Sequence, residues 1–498
     1  MKINTLKEDK LESQQETHAG PPAAGKFGSK VQILLLLLIS GAVFFTSAFV
    51  TNQLTEPTGD EPHYLVISQT LWNYHSLEVT RDYAHGDYQS FFRGRLLPFQ
   101  HTSPNKWGEL LPLHSIGAPV LWLLPFALAG RLGVLLFMSV VSILIVVNVY
   151  WLLLSLGIHQ RYALFTALAI ALASPVWLFS HHYFVEPVAA LLSIYIVRVL
   201  FQKHLGALDL LGSSVALGIL PWIHVRFALS EMVLCAFLFA RLSPEYRFTK
   251  IRSYLAAFLP MIGLFLIFEA YNFFVWGSLN PAINQANSNE VPFDAPILRG
   301  LAGLFFDQES GLLTNFPIFL FLLAGILLSF EKRLLRFNIL LLLLAGSYIV
   351  TTASFHNWDG AISPPARFMT ILVPLFAFYL ALVLQKARSW IVNGLFLLFT
   401  GVAMLYEGLS LPGGWIKREN GQSPPLAQIG QALHLPLTRG VPAFFPYPGK
   451  NALLPPGQGI PLIGWLVLCG GLTLLVVLLA RRAAPHSRAW TSSATLGS

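Results

Sequence analysis

Apolar runs of about twenty residues, the length that crosses a hydrocarbon core as helix, recur along the whole chain and constrain it more than any other feature. Twelve such runs, several near the short limit, fall at 31–50, 132–156, 162–180, 183–200, 206–222, 227–242, 251–276, 312–330, 334–353, 368–384, 390–411 and 460–480. Apolar residues, tyrosine and cysteine included, make up 55% of the 498 positions and charged residues only 11%, against about 25% charged in soluble domains. So few charges cannot cover so much apolar surface in water. The expectation is an all-α polytopic membrane protein of about twelve transmembrane helices.

Charge placement sets the orientation. With residues 1–30 as a cytoplasmic tail, fifteen basic residues fall in cytoplasmic gaps: Arg161, Arg198, Lys203, Arg241, Arg247, Lys250, Arg252, Lys332, Arg333, Arg336, Lys386, Arg388, Arg481, Arg482 and Arg488. The short opposite loops hold three, Arg226, Arg299 and Arg367. Positive residues mark the cytoplasmic side, so both termini are expected there. The segment Leu110–Ala129 is apolar but carries Pro112, His114, Pro119 and Pro125. Counting it as a span would reverse the charge bias, so it is expected as a re-entrant or interface-lying helix. The domain plan is then a transmembrane core over 31–410, a long first extracytoplasmic loop 51–131 with juxtamembrane helices, a second excursion 411–459, and a last helix with a basic tail over 460–498. Trp72, Trp107, Trp177, Trp222, Trp276 and Trp358 fall near span ends, as interface anchors would. Cys235 and Cys469 lie inside apolar runs and imply no disulfide framework.

Polar residues carry most of the functional information in such a chain, because ionisable groups at membrane depth are costly. One side collects Asp60, Glu61 and His63 after the first run, and His181, His182 and Glu186 between the third and fourth. His224 and Arg226 come next, then Asp307, Gln308 and Glu309, and last His356, Asp359 and Arg367. Five loops presenting acids, histidines and arginines to one face read as one composite site. Each has a plainer reading: Asp60 and Glu61, or Glu186, as helix caps; Arg226 and Arg367 as snorkelling cations; Asp307, Gln308 and Glu309 as a solvated turn. The pair His181 and His182 lacks a carboxylate at ligand spacing and makes a poor metal site.

The stretch Gly59-Asp60-Glu61-Pro62-His63-Tyr64, an acidic pair opening a long first external loop, resembles the GT-C superfamily of membrane glycosyltransferases, with the protein O-mannosyltransferase and aminoarabinose-transferase branch nearest. Pro112–Ala129 is similar to that family's proline-containing juxtamembrane helix, and Ser180–Pro187 stands where the family carries a second acidic position. GLFFDQESGLLTNFP at 303–317 and WDGAISPPARF at 358–368 resemble loop signatures of bacterial GT-C-like proteins. The resemblance spans roughly residues 31–390, and no large C-terminal periplasmic domain is expected after it.

That resemblance implies sugar transfer, hexosyl or pentosyl and inverting, from a polyprenyl-phosphate donor to a lipid, glycan or protein acceptor at the outer face of the plasma membrane. Such a reaction needs a base for the acceptor hydroxyl and cations for the departing phosphate. The expected catalytic acids are Asp60 as base, Glu61 orienting it, and Glu186; two adjacent carboxylates would also push one pKa upward. Arg226 and Arg367, with His182 and His356, are expected on the donor phosphate. His63, Asp307, Glu309 and Asp359 are further candidates. No cofactor is certain, and a divalent cation joining Asp60 and Glu186 is left open. Alternatives are a secondary transporter or lipid-sugar flippase, which would show repeats and mid-membrane polarity, and an O-antigen polymerase or ligase, which would place its key residues in a late loop. No nucleotide-binding glycine motif occurs, and the basic excess is topological, so nucleic acid is not an expected partner.

Overall fold

The computed structural model of the protein describes residues 26–98, 101–246, 251–280, 295–413, 415, 423–444 and 454–483. Residues 1–25, the basic residues Arg247, Lys250 and Arg488, and much of the 411–459 excursion lie outside the described residues. The chain is helical almost throughout, with one two-stranded hairpin among the described residues.

Every one of the twelve apolar runs contains helix. Six helices are long and apolar enough to cross a membrane: Lys30–Leu54, Leu123–Ser155, Ile251–Trp276, Lys332–Ala353, Trp390–Ser410 and Gly459–Ala483. A seventh would be the bent pair Gln160–Leu172 and Pro175–His181, which turn by 49° where Ser174 caps Pro175–Leu178 through the Val176 N–H. The remaining runs form shorter, broken or more polar helices. Glu186–Leu200 and Val373–Ala387 have 15 residues each, Ala207–Ile223 has 17, and residues 312–328 break into three short pieces at Phe316 and Phe321. Proline explains where these helices start: Pro187, Pro317 and Pro374 each occupy a first-turn position, the place where a missing N–H costs nothing.

The first loop departs from the sequence expectation. Leu110–Ala129 is not one interface-lying helix. Leu110–Pro112 is a strand paired antiparallel with Thr102–Pro104 in the register Thr102 to Pro112. Gly117–Leu121 is a short helix, and a further turn from Leu123 runs into the long helix ending at Ser155 through a break at Ala129 and Gly130, where Gly130 takes φ +57°. The stretch before that break still exposes apolar side chains, Val120, Leu121, Leu124 and Leu128. Asn105 builds the hairpin turn by accepting from the Trp107 and Glu109 N–H groups, and the Lys106 N–H donates to Val275 O, seating the turn on the end of helix Ile251–Trp276. Helix Glu61–Tyr74 lies beneath the hairpin and is held by a 2.9 Å bond from Trp122 Nε1 to Ser68 Oγ.

Two of the tryptophans expected as interface anchors are buried. Trp358 packs its ring against Gly303 and Phe444, and Trp276 closes a small apolar cluster with Leu111 and Val275, whereas Trp72 and Trp107 are half exposed as anchors should be.

Candidate active site

Asp60 occupies the N-cap position of helix Glu61–Tyr74, but its side chain makes no cap bond there. It reaches instead across to the loop before helix Val373–Ala387, where Arg367 Nη1 lies 2.8 Å from Asp60 Oδ2. Nε of the same guanidinium donates to Glu186 Oε1 at 2.9 Å, and Arg226 Nη2 donates to that oxygen at 2.7 Å. Four residues from four loops thus form one chain of alternating charge, Asp60, Arg367, Glu186, Arg226. The Glu186 side chain is fully buried and that of Arg367 7% exposed. Both guanidiniums lie over rings, Arg367 over Phe184 at 4.4 Å and Arg226 over Phe368 at 4.6 Å, which fixes their planes.

The backbone is shaped for this meeting. Gly59 takes φ +58°, and a Cβ there would stand 2.0 Å from Ile362 O, so only glycine lets the first loop approach the Arg367 loop. Ala366, buried next to Arg367, holds φ +55°, a conformation that costs an alanine energy and persists where surroundings enforce it. The Ala366 N–H donates to Ser310 O at 3.1 Å.

Burial, the largest single influence, works to raise the Asp60 pKa, but the charge and hydrogen bond of Arg367 together with His114 and His101 outweigh it and hold the carboxyl well below the usual carboxylate range. The adjacent Glu61 therefore does not lift Asp60 as the paired acids suggested. The reason is geometric. Glu61 turns the other way and is fully engaged: Oε1 meets His182 Nδ1 at 3.0 Å and accepts from the Tyr183 N–H at 3.2 Å, and Oε2 accepts from the Thr58 N–H at 3.1 Å. Glu61 and His182 tie the first loop to the second rather than facing the arginines. For Arg367, burial would favour deprotonation, and Glu186 and Asp60 overcome it.

The other expected residues divide into supports and bystanders. His224 Nδ1 accepts from the Arg226 N–H at 3.2 Å; burial and the neighbouring arginines hold it neutral. Asp307 is a knot rather than a solvated turn: Oδ1 accepts from the Glu309 and Ser310 N–H groups and Oδ2 from the Phe444 N–H at 2.8 Å. Through Ser310 it braces the Arg367 loop. Glu309 is buried in that same knot. His356 is exposed and Asp359 shapes a turn by accepting from the Ala361 N–H; among the described residues no ion pair ties either to the four-residue chain.

His63 leads to a cluster that sequence reasoning missed. Its ring stacks on His101, centroids 3.4 Å apart, and its Nδ1 meets Tyr83 Oη at 2.5 Å. His101 Nδ1 in turn lies 3.0 Å from His114 Nε2, and the ligand atoms of Asp60, His101 and His114 all fall within 4.8 Å of one another. Burial together with the neighbouring imidazoles draws His63 down to about 2 and His101 to about 4, and burial also lowers His114. Asp60, His101 and His114 could hold a metal ion. Asp60 and Glu186 could not share one in this arrangement, because Arg367 stands between them.

Two buried atoms in the charge chain have no hydrogen-bond partner among the described residues, Glu186 Oε2 and Arg226 Nε. Buried polar atoms are rarely left so, and here they mark where a polar ligand or water would bind. A cleft opens beside His114, walled by Trp222, Phe268, Tyr271 and Trp276.

Fold and cluster together define a polytopic helical membrane protein whose loops enclose a buried arginine–carboxylate centre. No family's sequence model matches the chain, and no curated protein matches it in sequence. Among solved structures, the fold is similar to that of ArnT from Cupriavidus metallidurans bound to undecaprenyl phosphate, at 14% identity and TM-score 0.48, covering 91% of this chain and 77% of that one. It is also similar to the oligosaccharyltransferase AglB from Archaeoglobus fulgidus in complex with an inhibitory peptide and a dolichol-phosphate, at 13% identity and TM-score 0.44, covering 79% and 57%.

Proposed function

We propose that the protein is a membrane glycosyltransferase that moves a sugar from a polyprenyl-phosphate donor to a lipid, glycan or protein acceptor at the outer face of the plasma membrane. The observation that carries this reading is the chain Asp60, Arg367, Glu186, Arg226, in which two guanidiniums converge on one buried carboxylate. Planar guanidiniums match phosphate oxygens in charge and geometry. The fully buried Glu186 holds both at one place before any donor arrives, so little reorganisation is needed at reaction. The basic residues of the opposite gaps support an orientation with Arg226 and Arg367 outside and the termini in the cytoplasm.

The chemistry follows from those positions. The acceptor hydroxyl oxygen attacks the anomeric carbon, the bond from that carbon to the phosphate oxygen breaks, and the phosphate leaves with the electron pair. Arg226 and Arg367 neutralise the charge that develops on it. Asp60 takes the acceptor proton. Arg367 lowers the Asp60 pKa and so weakens it as a base. A phosphate that claims the hydrogen bonds of Arg367 loosens that hold, so donor binding itself makes Asp60 a better base. Attack from the face opposite the phosphate inverts the anomeric centre.

The test is sugar release from a panel of radiolabelled polyprenyl-phosphate hexoses and pentoses in proteoliposomes supplied with an acceptor extract. Wild type should turn over at least one donor, and Asp60→Asn should lose about 100-fold or more while remaining folded. Full turnover in Asp60→Asn would sink the base assignment, and no release from any donor would sink the donor class.

A further inference from the structure

We propose that Asp60, His101 and His114 hold one divalent transition-metal ion, clipped by the first-loop hairpin. The hairpin is what brings the two histidines together. Thr102 pairs with Pro112, the Leu113 N–H extends the ladder to His101 O at 2.8 Å, and His114 follows. His101 Nδ1 and His114 Nε2 then face each other at 3.0 Å. Two nitrogens each about 2.0–2.1 Å from a tetrahedral zinc stand roughly 3.3 Å apart, so the pair needs to open by only a few tenths of an ångström. The carboxylate oxygen lies within 4.8 Å of both, within reach of a side-chain rotation.

The donor set selects the metal. Two imidazoles and one carboxylate suit zinc, cobalt, iron or manganese, whereas magnesium and calcium prefer oxygen throughout. A supporting layer exists as well. His63 stacks flat on His101 and is itself held by Tyr83, so the ligand ring cannot turn freely. Arg367 Nη1 engages Asp60 Oδ2 at 2.8 Å, so the ion and the guanidinium would share one carboxylate. Three protein ligands leave a coordination position open. On the donor-phosphate reading above, on which this clause alone depends, that open position borders the reaction centre, and an ion bound there would offset the basicity Asp60 loses as its ligand by raising the acidity of an acceptor hydroxyl.

Metal binding can be read without any sugar donor. The full-length protein in detergent is stripped with a chelator, then titrated with zinc or cobalt alone. Metal content is counted by mass spectrometry, the visible ligand-field bands of bound cobalt are recorded, and melting temperature is followed. The expected result is about one ion per chain, cobalt bands of a low-coordinate nitrogen and oxygen site, and a rise in melting temperature. His101→Gln and His114→Gln should each lose the stoichiometric ion. His63→Phe should weaken binding about tenfold through loss of ring support. His434→Gln, at an exposed histidine outside the site, should bind as wild type does. Wild type that takes up no ion from 100 µM zinc overturns the proposal, as does a His101→Gln variant that binds as tightly as wild type. Should the histidine variants not fold, the wild-type count and cobalt spectrum decide alone. A protein that binds the ion but transfers no sugar would refute the donor reading and leave the metal site standing.

Discussion

The outer and inner helices of this bundle obey different rules. Ile251–Trp276 and Gly459–Ala483 run 26 and 25 residues without interruption, and only 17% and 22% of their most apolar stretches are buried. At 1.5 Å per residue they reach nearly 40 Å, enough to cross the roughly 30 Å hydrocarbon core with a margin. Glu186–Leu200 and Val373–Ala387 have 15 residues each, about 22 Å, and are mostly or almost wholly buried. Helices that face lipid must keep every backbone group satisfied for the full thickness. Those that face protein can stop early, because neighbouring loops cover the irregular backbone beyond them. The short helices are the ones whose N-terminal ends carry Glu186, in the first turn of its helix, and Arg367, at the head of the 3-10 turn Phe368–Ile371 that leads into its helix. Shortness at the centre is thus how this fold makes room for charge.

The comparison breaks most sharply at Glu186. Replacing it with alanine takes the shared carboxylate from the buried Arg367 and the partly buried Arg226, leaving Asp60 as the ion-pair partner of Arg367. Removing one partner of a buried ion pair costs about 3–5 kcal/mol, so thermal unfolding in detergent should drop steeply and sugar release should vanish. Unchanged melting would mean that the centre is already hydrated. Arg367→Lys comes next. Lysine keeps the charge but has no fork to reach Asp60 and Glu186 at once, and turnover should fall by about 10²–10³ with a much smaller change in melting. Equal activity of Arg367 and Lys would argue that a point charge suffices there.

The charged centre was legible because polar residues are rare in such a chain. Asp60, Glu186, Arg226 and Arg367 had to find partners somewhere, and they found one another. Roles were harder to read than membership. Adjacency of Asp60 and Glu61 suggested a coupled pair, yet consecutive side chains at a helix start point in different directions, and they part to different loops. His101 and His114 were invisible because nothing in a polar loop marks a three-residue strand; only the pairing of Thr102–Pro104 with Leu110–Pro112 makes them neighbours. Trp358 was misread as an interface anchor because position near a span end cannot tell a lipid-facing ring from one facing Gly303.

Glu61 sharpens the contrast between chemistry and support. Glu61→Gln presents an amide NH2 to donors that need an acceptor, from His182, Tyr183 or Thr58. Stability should fall by about 1–3 kcal/mol, while the KM for donor stays near wild type, because neither arginine contacts this residue. A selective rise in KM would return Glu61 to the donor site.

In the first loop the acid Asp82 gives a gentler test of the same idea. It is buried against the Thr70 hydroxyl with no guanidinium beside it, and burial above all raises its pKa from 3.8 to about 6. The unfolded chain therefore releases this proton first, and stability should decline as pH rises from about 4 to about 6 and then level off. Asp82→Asn keeps an acceptor for Thr70 and removes the titration. Its melting temperature should be flat across that window and equal to or above wild type at pH 7. A wild-type profile already flat over the window would mean that Asp82 ionises freely in the fold.

The smallest effect belongs on the outer helices, and its smallness is the point. Leu474 lies on helix Gly459–Ala483 with 60% of its surface exposed, facing where lipid would be. Leu474→Ala removes apolar surface that exchanges lipid contacts for lipid contacts, so no cavity forms and no core is lost. Melting in a lipid-like detergent should move by no more than surface substitutions do, about 0.5 kcal/mol. Leu380, fully buried on Val373–Ala387, is the matched inner position, where the same change opens a cavity and costs about 2–5 kcal/mol. If Leu474→Ala proved as damaging as Leu380→Ala, the Gly459–Ala483 helix would be packed against a second protein surface, and the division between lipid-facing and protein-facing helices would have to be redrawn with that helix inside.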